Sequence, residues 1–310
     1  MAKSIKNTVI LAKLQTAIGA PAVPTGADDA MLVTNPSHTP VSATMVSRDL
    51  IRPYFGTSQQ LSAGVHTELS FDVEIAGSGV PGTPPAWGLL LVGCYFAETV
   101  TDGSDVKYAP VSLKPDTPLT IYYYLDGLLH QLTDAYGTVS FDLESGAIPK
   151  MTFKFMGAYN AVTDTPLPAG TDFSKFLTPK LALSANTSWS MFGYTGPLKS
   201  LSLDIANSLN WFQLIGEEGA EVDDRQPTGK IVMELSKVSD QDWWTAAKDA
   251  TLGPLTVQQG MMAGNIVLFE APQAQISNLS YSDQNSKALL NGDLGLSPQN
   301  GNDELVITVK

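Results

Sequence analysis

The chain has few of the residues that catalytic and metal-binding sites use most often. Its 310 residues include one cysteine and three histidines. Cys94 stands alone within an apolar segment, so it has no partner for an internal disulfide and no neighbouring ligands for zinc. We therefore expect neither a metal nor a cofactor.

Basic residues are also scarce, since 18 Lys and Arg face 31 Asp and Glu, for a net charge of −13. Such a chain repels the phosphates of nucleic acid instead of gripping them. No apolar run approaches the length of a membrane span, and the run after the basic segment 1–6 is broken by Lys13 and Gln15, unlike a signal peptide. We expect a soluble protein that is made in a cytoplasm and has no membrane partner.

Patterns typical of enzymes are weak in this chain. The histidines are His38, His66 and His130. Because no nucleophile-elbow motif accompanies any serine, surface or cross-strand histidines are favoured, with a Ser-His-Asp site as the alternative. Acidic pairs occur at Asp28-Asp29, Glu217-Glu218 and Asp223-Asp224. They are predicted to lie in solvated loops, because none has the spacing of a calcium-binding loop.

The segment from Gly77 to Gly82 fits the G-x-G-x-x-G pattern of dinucleotide-binding loops. The strand before it alternates apolar and polar residues, whereas a dinucleotide-binding strand is apolar on both faces. Pro81 and the run Thr83-Pro84-Pro85 move the next helix away from the place where a pyrophosphate would bind. An ordinary loop is therefore the favoured interpretation.

What the chain does contain is alternating strands. The stretch Thr67–Phe96 begins with strict alternation of apolar and polar residues, the pattern of a strand buried on one face. A Gly- and Pro-rich loop follows, and then a short apolar segment headed by Pro85, which suits the first turn of a helix. A weaker copy of this order recurs in the second half, at Gly229–Leu235 and Asp240–Ala250.

This repeated order predicts a mainly β protein made of tandem β-sandwich or partial-barrel domains, each with one short packed α-helix. Residues 1–46 are predicted to form an N-terminal arm that lies on something else. The first domain is predicted at 47–165 and the second at 191–310. A linker is predicted at 166–190, where Pro and Gly interrupt any pattern.

Acidic residues recur on the polar side of these strands. They are Asp72, Glu74, Asp142, Glu144, Asp204 and Glu234. Plain solubility is one explanation for them, because charged side chains keep the wet face of a sheet in water. The other hypothesis is that they line a shared acidic surface in an assembly.

Several segments, taken in order, resemble one known family. They are Arg48–Gly56, Leu69–Gly82 with Pro85-Ala-Trp-Gly-Leu-Leu, Phe96-Ala-Glu-Thr-Val, Gly137–Leu143, Tyr281-Ser-Asp-Gln and the end Gly301–Lys310. Together they resemble the major tail tube proteins of bacteriophages with long, non-contractile tails, over nearly the whole chain. The resemblance implies a virion structural protein, not an enzyme, whose β-sandwich tube domains assemble into stacked rings.

The resemblance also implies partners. Most such subunits carry one tube domain and form rings of six, so a duplicated chain implies rings of three with pseudo-sixfold symmetry, assembled in the cytoplasm of the bacterial host. DNA and the tape-measure protein would pass through the tube without specific binding, and terminator and tip proteins would contact its ends. The alternative is a soluble β-sandwich binding module, such as a carbohydrate-binding or adhesin-like tail component.

In a tube, two groups of residues acquire predicted roles. The six acids named above are predicted to face the lumen, where they would let DNA slide. One loop is predicted to contact an adjacent ring. Its residues are Gly77, Ser78, Gly79, Val80, Pro81 and Gly82.

Overall fold

The computed structural model describes residues 3–310 and confirms the mainly β class, with antiparallel strands and three short helices. The strands of the first half are β1 (Thr8–Leu14), β2 (Ala30–Met31), β3 (Thr34–Val46), β4 (Leu61–Glu74), β5 (Phe96–Thr101), β6 (Asp105–Pro110), β7 (Leu119–Leu125), β8 (Leu128–Glu144), β9 (Lys150–Tyr159) and β10 (Thr163–Asp164). Those of the second half are β11 (Thr187–Met191), β12 (Leu198–Asp204), β13 (Asn207–Leu214), β14 (Glu217–Arg225), β15 (Thr228–Glu234), β16 (Leu252–Gln259), β17 (Val267–Gln284), β18 (Lys287–Ser297) and β19 (Val306–Val309). The helices are α1 (Gly26–Asp29), α2 (Gly88–Gly93) and α3 (Trp243–Lys248).

The central strand β4 has the burial that its alternation predicts. In its second half the apolar residues, and the one directly after the strand, are at most 1% exposed: Leu69, Phe71, Val73 and Ile75. The polar residues between them lie on the other face and stay partly exposed. β4 pairs with β9 on one edge and with β3 on the other. The apolar face of this sheet therefore supplies the core of the first half.

The order of paired strands is the same in the two halves. In the first half it is β1-β7-β8-β9-β4-β3. In the second half it is β11-β16-β17-β18-β15-β12. The short strands β10 and β19 pair with the corresponding long strands, β8 and β17. Each strand of the first set thus has an equivalent in the second.

The helices α2 and α3 also occupy equivalent places, because each follows a central strand, β4 or β15. Both carry a buried tryptophan at their start, Trp87 and Trp243. The indole N–H of Trp87 donates to the Ala76 oxygen at 2.8 Å, and that of Trp243 donates to Ser236 Oγ at 3.1 Å. Ala76 and Ser236 both lie two positions after the end of the central strand. An indole N–H therefore bonds the equivalent residue in each half, through a backbone oxygen in one and a hydroxyl oxygen in the other, and fixes the helix to its sheet.

The two halves share one core. The last residues of β8 pair with β12, and β6 pairs with β19. The rings of Phe141 and Phe269, one from each half, meet at a centroid distance of 5.0 Å. A single cluster of buried side chains runs through both halves. Because the core is shared, the division into two domains at 47–165 and 191–310 stays a prediction. The repeated strand order supports it.

Two segments have more regular structure than an arm and a linker require. In the N-terminal segment, β1 pairs with β7 along its whole length, and Ile10, Leu11 and Ala12 are buried. β3 pairs with the central strand β4. Residues 166–190 include most of β11, which pairs with β16. Both segments thus contribute strands to the sheet.

The acidic pairs were wrongly predicted to lie in loops. Asp28-Asp29 ends the short helix α1. Glu217-Glu218 and Asp223-Asp224 lie on strand β14, in a hairpin with β13. The residues of both β14 pairs are exposed. Charged side chains on a strand of a surface hairpin remain in water, so an acidic pair is compatible with a β-strand there.

Candidate functional site

Eight strands form one continuous sheet in the order β3-β4-β9-β8-β12-β15-β18-β17. One face of this sheet packs into the core through residues such as Phe71, Phe141 and Leu203, each at most 2% exposed. Residues directly opposite each other on neighbouring strands point to the same side of a sheet. The register therefore collects the polar side chains of the eight strands on one surface, which we name the polar face.

All the acids singled out in the sequence lie on the polar face: Asp72, Glu74, Asp142, Glu144, Asp204 and Glu234. Although the Asp142 side chain reaches solvent, partial desolvation by the surrounding sheet raises the pKa of its carboxyl group. The nearby charges of Asp72 and Asp204 raise this pKa further. The junction between the halves is thus a local concentration of negative charge.

Lysines share the polar face with these acids. Lys150 Nζ lies 3.9 Å from Asp72 Oδ2, and Lys287 Nζ lies 3.9 Å from Glu234 Oε1. Lys230 lies directly opposite Asp293 on the neighbouring strand. Each of these three lysines has a carboxylate beside it, so they offset part of the acidic charge and form no separate basic cluster.

The loop Gly77–Gly82 is folded against the second half of the chain. The N–H of Gly77 donates to Asn265 Oδ1 at 2.7 Å, and the N–H of Gly79 donates to the Gly264 oxygen at 2.8 Å. A Cβ atom at Gly77 would come within 2.2 Å of that same oxygen, so the contact requires glycine. Only the middle of the loop is exposed. Its contact with an adjacent ring stays a prediction.

The continuous sheet ends in two edges. Within residues 3–310, β3 pairs only with β4, and residues 280–284 of β17 pair only with β18. The equivalent edges inside the chain are joined, because the last five residues of β8 pair with β12, from Ser140 opposite Asp204 to Glu144 opposite Ser200. Unpaired N–H and C=O groups along a strand edge can receive another strand.

The hairpin β13–β14 covers the junction between the halves, and sequence analysis missed it. It leaves the sheet between β12 and β15 and packs on the first half, where Ala220 joins a buried cluster with Tyr95 and Tyr136. The side chain of Asn207 donates through Nδ2 to the backbone oxygens of Cys94 and Gly137, both at 3.0 Å. The hairpin is therefore fixed by buried contacts.

The three histidines lie against aromatic rings. The His38 ring is centred 4.7 Å from Tyr123 and 4.5 Å from His130, and His66 stacks on Trp211 at 5.0 Å. Burial, followed by the neighbouring His130, lowers the pKa of His38 to about 4. In the part of the chain that the structure describes, no group of three or more His, Cys, Asp or Glu is placed to hold a metal. No described helix is long and apolar enough to cross a membrane.

Comparison with known families identifies the role of this protein. A family model described as phage tail tube protein matches residues 6–289. The chain belongs to the phage tail tube protein family. It is a structural protein of the virion tail and assembles with copies of itself into a tube. No curated protein matched the chain.

Proposed function

We propose that three chains close into a ring with pseudo-sixfold symmetry and that these rings stack to form the tail tube. The observation that carries the proposal is the junction between β8 and β12, which joins two equivalent halves while the equivalent edges on β17 and β3 stay open. Two different edges that join head to tail close a ring when the rotation between copies allows it.

The internal junction supplies the register of the proposed contact. Equivalent positions are found by counting back from the ends of the central strands β4 and β15 and then crossing to the strands paired with them. By this count Asp204 corresponds to Thr39, and Ser140 corresponds to Ser280. Asp204 lies opposite Ser140 inside the chain. We therefore expect Thr39 of one copy to lie opposite Ser280 of the next.

Three copies joined in this way place their eight-stranded sheets in one closed barrel. Closure gives every strand a partner on both sides, which removes the open edges. Barrels of about 16–18 strands already enclose an aqueous channel, and three sheets of eight strands exceed that number. Such a barrel leaves a wide lumen.

We place the polar face on the lumen side, because the opposite face of the sheet is covered by the core. The acids Asp72, Glu74, Asp142, Glu144, Asp204 and Glu234 then line the channel. A negative wall repels phosphates, so DNA slides past it without specific binding. The tape-measure protein occupies the same channel during assembly in the host cytoplasm, and terminator and tip proteins contact the tube ends.

Paired cysteines test the ring contact, since the native Cys94 is buried. Thr39→Cys with Ser280→Cys should give, on oxidation of assembled protein, covalent oligomers that end at three chains. Ser140→Cys with Asp204→Cys is the matched control, because this pair should close within one chain. Negative-stain imaging of the wild-type chain accompanies the test. A ladder that ends at another number, or tubes with no cross-link, contradicts the three-chain ring.

Replacing acids of the polar face by lysine tests its orientation. The variant Asp72→Lys with Asp142→Lys should form tubes but slow or prevent DNA ejection, because a basic wall binds phosphates. Asp102→Lys and Asp105→Lys, on the β5–β6 hairpin away from this face, form the control. Normal ejection by the first variant would place the polar face outside the channel.

A further inference from the structure

The strands β3 and β4 continue beyond the sheet as a bare hairpin. Pairing of β4 with β9 ends at His66, so Leu61–Val65 pair only with β3, and five strand residues project about 16 Å. Residues 47–60 close this hairpin, and we name them the tip. In the tip, Ile51 and Phe55 are fully exposed, at 102% and 106% of their reference areas, and Tyr54 is 66% exposed.

An apolar groove lies at the other end of the same sheet. It has a volume of about 650 Å³ and is open to solvent. Its lining includes Leu143, Ala182, Leu183, Trp189, Pro197 and Leu198. The groove lies where β8 ends and β12 begins, so it is bounded by both halves of the chain.

The register shows that the tip and the groove lie at opposite ends of the strands. The tip precedes the first residue of β4, and the groove lies beside the end of β8. Asp142 of β8 and Glu74 at the end of β4 are both opposite Lys150, so the end of β8 is level with the end of β4. A subunit therefore has an apolar projection at one end and an apolar recess at the other.

We propose that the tip of one copy docks into the groove of a copy in the adjacent ring, an inference that rests on the stacked rings of the proposed function. Burial of exposed apolar side chains in an apolar recess is favourable. The tip also carries Arg48 and Arg52, two of the three arginines in a chain of net charge −13. Cationic groups at the contact reduce the repulsion between stacked acidic rings.

Docking within a ring fits the tip less well. The hairpin β13–β14 packs beside Thr138 and Lys154 of the first half. The equivalent positions on the second half are Ser277 and Asp293, which line an open polar recess. Such a surface offers no apolar partner for Ile51 and Phe55. The apolar groove at the far end of the sheet does.

Substitution in the tip tests the proposal. Ile51→Ser with Phe55→Ser should leave a folded subunit that still closes into rings but forms no long tubes. Leu113→Ser is the matched control, because Leu113 is 84% exposed and lies outside the tip and the groove; it should give tubes of ordinary length. Long tubes from the tip variant overturn the docking. If the wild-type chain forms neither rings nor tubes, the proposed function itself fails.

Cross-linking identifies the two surfaces directly. Chains with Phe55→Cys are mixed with chains with Leu183→Cys, assembled, and treated with a short bismaleimide. We expect covalent dimers that contain one chain of each kind, at several times the yield obtained when Val100→Cys replaces Leu183→Cys. Val100 is an exposed residue of β5. Tubes with no yield above this control overturn the docking while the ring proposal stands.

Discussion

Two hairpins leave the same end of the sheet from equivalent positions, one between β3 and β4 and one between β12 and β15. The second hairpin, β13–β14, is folded down on the first half and held by buried contacts. The first hairpin meets Trp211 of β13 only at its stem and ends in an exposed apolar tip. The covered hairpin shows how one half of the chain is joined to the other. The bare hairpin and the open edge beside it are surfaces of a single chain that stay available for contact with neighbouring copies.

The difference is one of position in the chain, because each half carries such a hairpin. The first half is followed by a second half, which supplies β12 and β13–β14 to cover its edge. Within residues 3–310, no strand covers the outer edge of β3 or the edge of β17 at residues 280–284. Unpaired edges and exposed apolar side chains are unfavourable in a free subunit. Assembly into a tube is favoured when it pairs these edges and buries these side chains.

The largest expected effect comes from Arg225, at the end of the covered hairpin. Its side chain forms a buried ion pair with Glu304 and donates to the Val111 oxygen at 2.9 Å. Arg225→Ala leaves the Glu304 carboxylate buried without its cation, which costs about 3–5 kcal/mol. Chemical denaturation should report this loss in the free energy of unfolding.

The matched control for Arg225 lies on the bare hairpin. Arg52 is exposed, so Arg52→Ala should change the free energy of unfolding by no more than about 0.5 kcal/mol. Equal losses in the two variants would mean that the two hairpins do not differ in how they contribute to the fold.

The next effect concerns Asn207, where the covered hairpin begins. Asn207→Ala removes the donor for two buried backbone oxygens, those of Cys94 and Gly137. Leaving buried acceptors unpaired costs about 1–3 kcal/mol. Asn210→Ala is the control, because the Asn210 side chain bonds Asp223 at the surface. The midpoint of denaturant unfolding measures this loss. A shift of that midpoint no larger than the shift of Asn210→Ala would show that Asn207 does not hold the hairpin.

These comparisons also show what the sequence could predict. The central strands and the helix after each were predictable, because alternation and an apolar segment after a Gly- and Pro-rich loop are local signals. The polar face was predictable for the same reason, since period two fixes which residues share a side. The residues Phe71, Trp87 and Trp243 are buried as this interpretation requires.

The hairpins and edges were not predictable from local patterns. The predicted arm at 1–46 contains β3, whose Pro36 and Pro40 are unusual in a strand. An edge strand tolerates proline because one side needs no N–H donors, and β3 is such a strand. The acidic run of β14 suggested loops, although Gly216, with φ of 103°, is the turn residue between two short alternating segments. Which edge stays open depends on contacts between distant segments.

A smaller effect is expected where the two hairpins meet. Gly64, in the stem of the bare hairpin, has φ of 60°, and a Cβ atom there would lie 3.1 Å from Trp211 Cδ1 of the covered hairpin. Gly64→Ala should therefore cost about 1–2 kcal/mol from the left-handed backbone. Gly219→Ala is the control, since a Cβ atom at Gly219 meets nothing within 4 Å. Similar midpoints for the two variants in thermal unfolding would contradict this backbone cost at Gly64.

The smallest effect on the free subunit is expected at the tip itself. Phe55 is fully exposed, so Phe55→Ser should leave the free energy of unfolding of the subunit within about 0.5 kcal/mol of wild type. Denaturant unfolding of unassembled protein measures this value. A loss of about 2 kcal/mol or more would mean that Phe55 is buried in the free chain, and the bare hairpin would then be folded down like its counterpart. An unchanged subunit that forms no long tubes distinguishes the two hairpins: the covered hairpin stabilises the chain, whereas the tip of the bare hairpin acts only between chains.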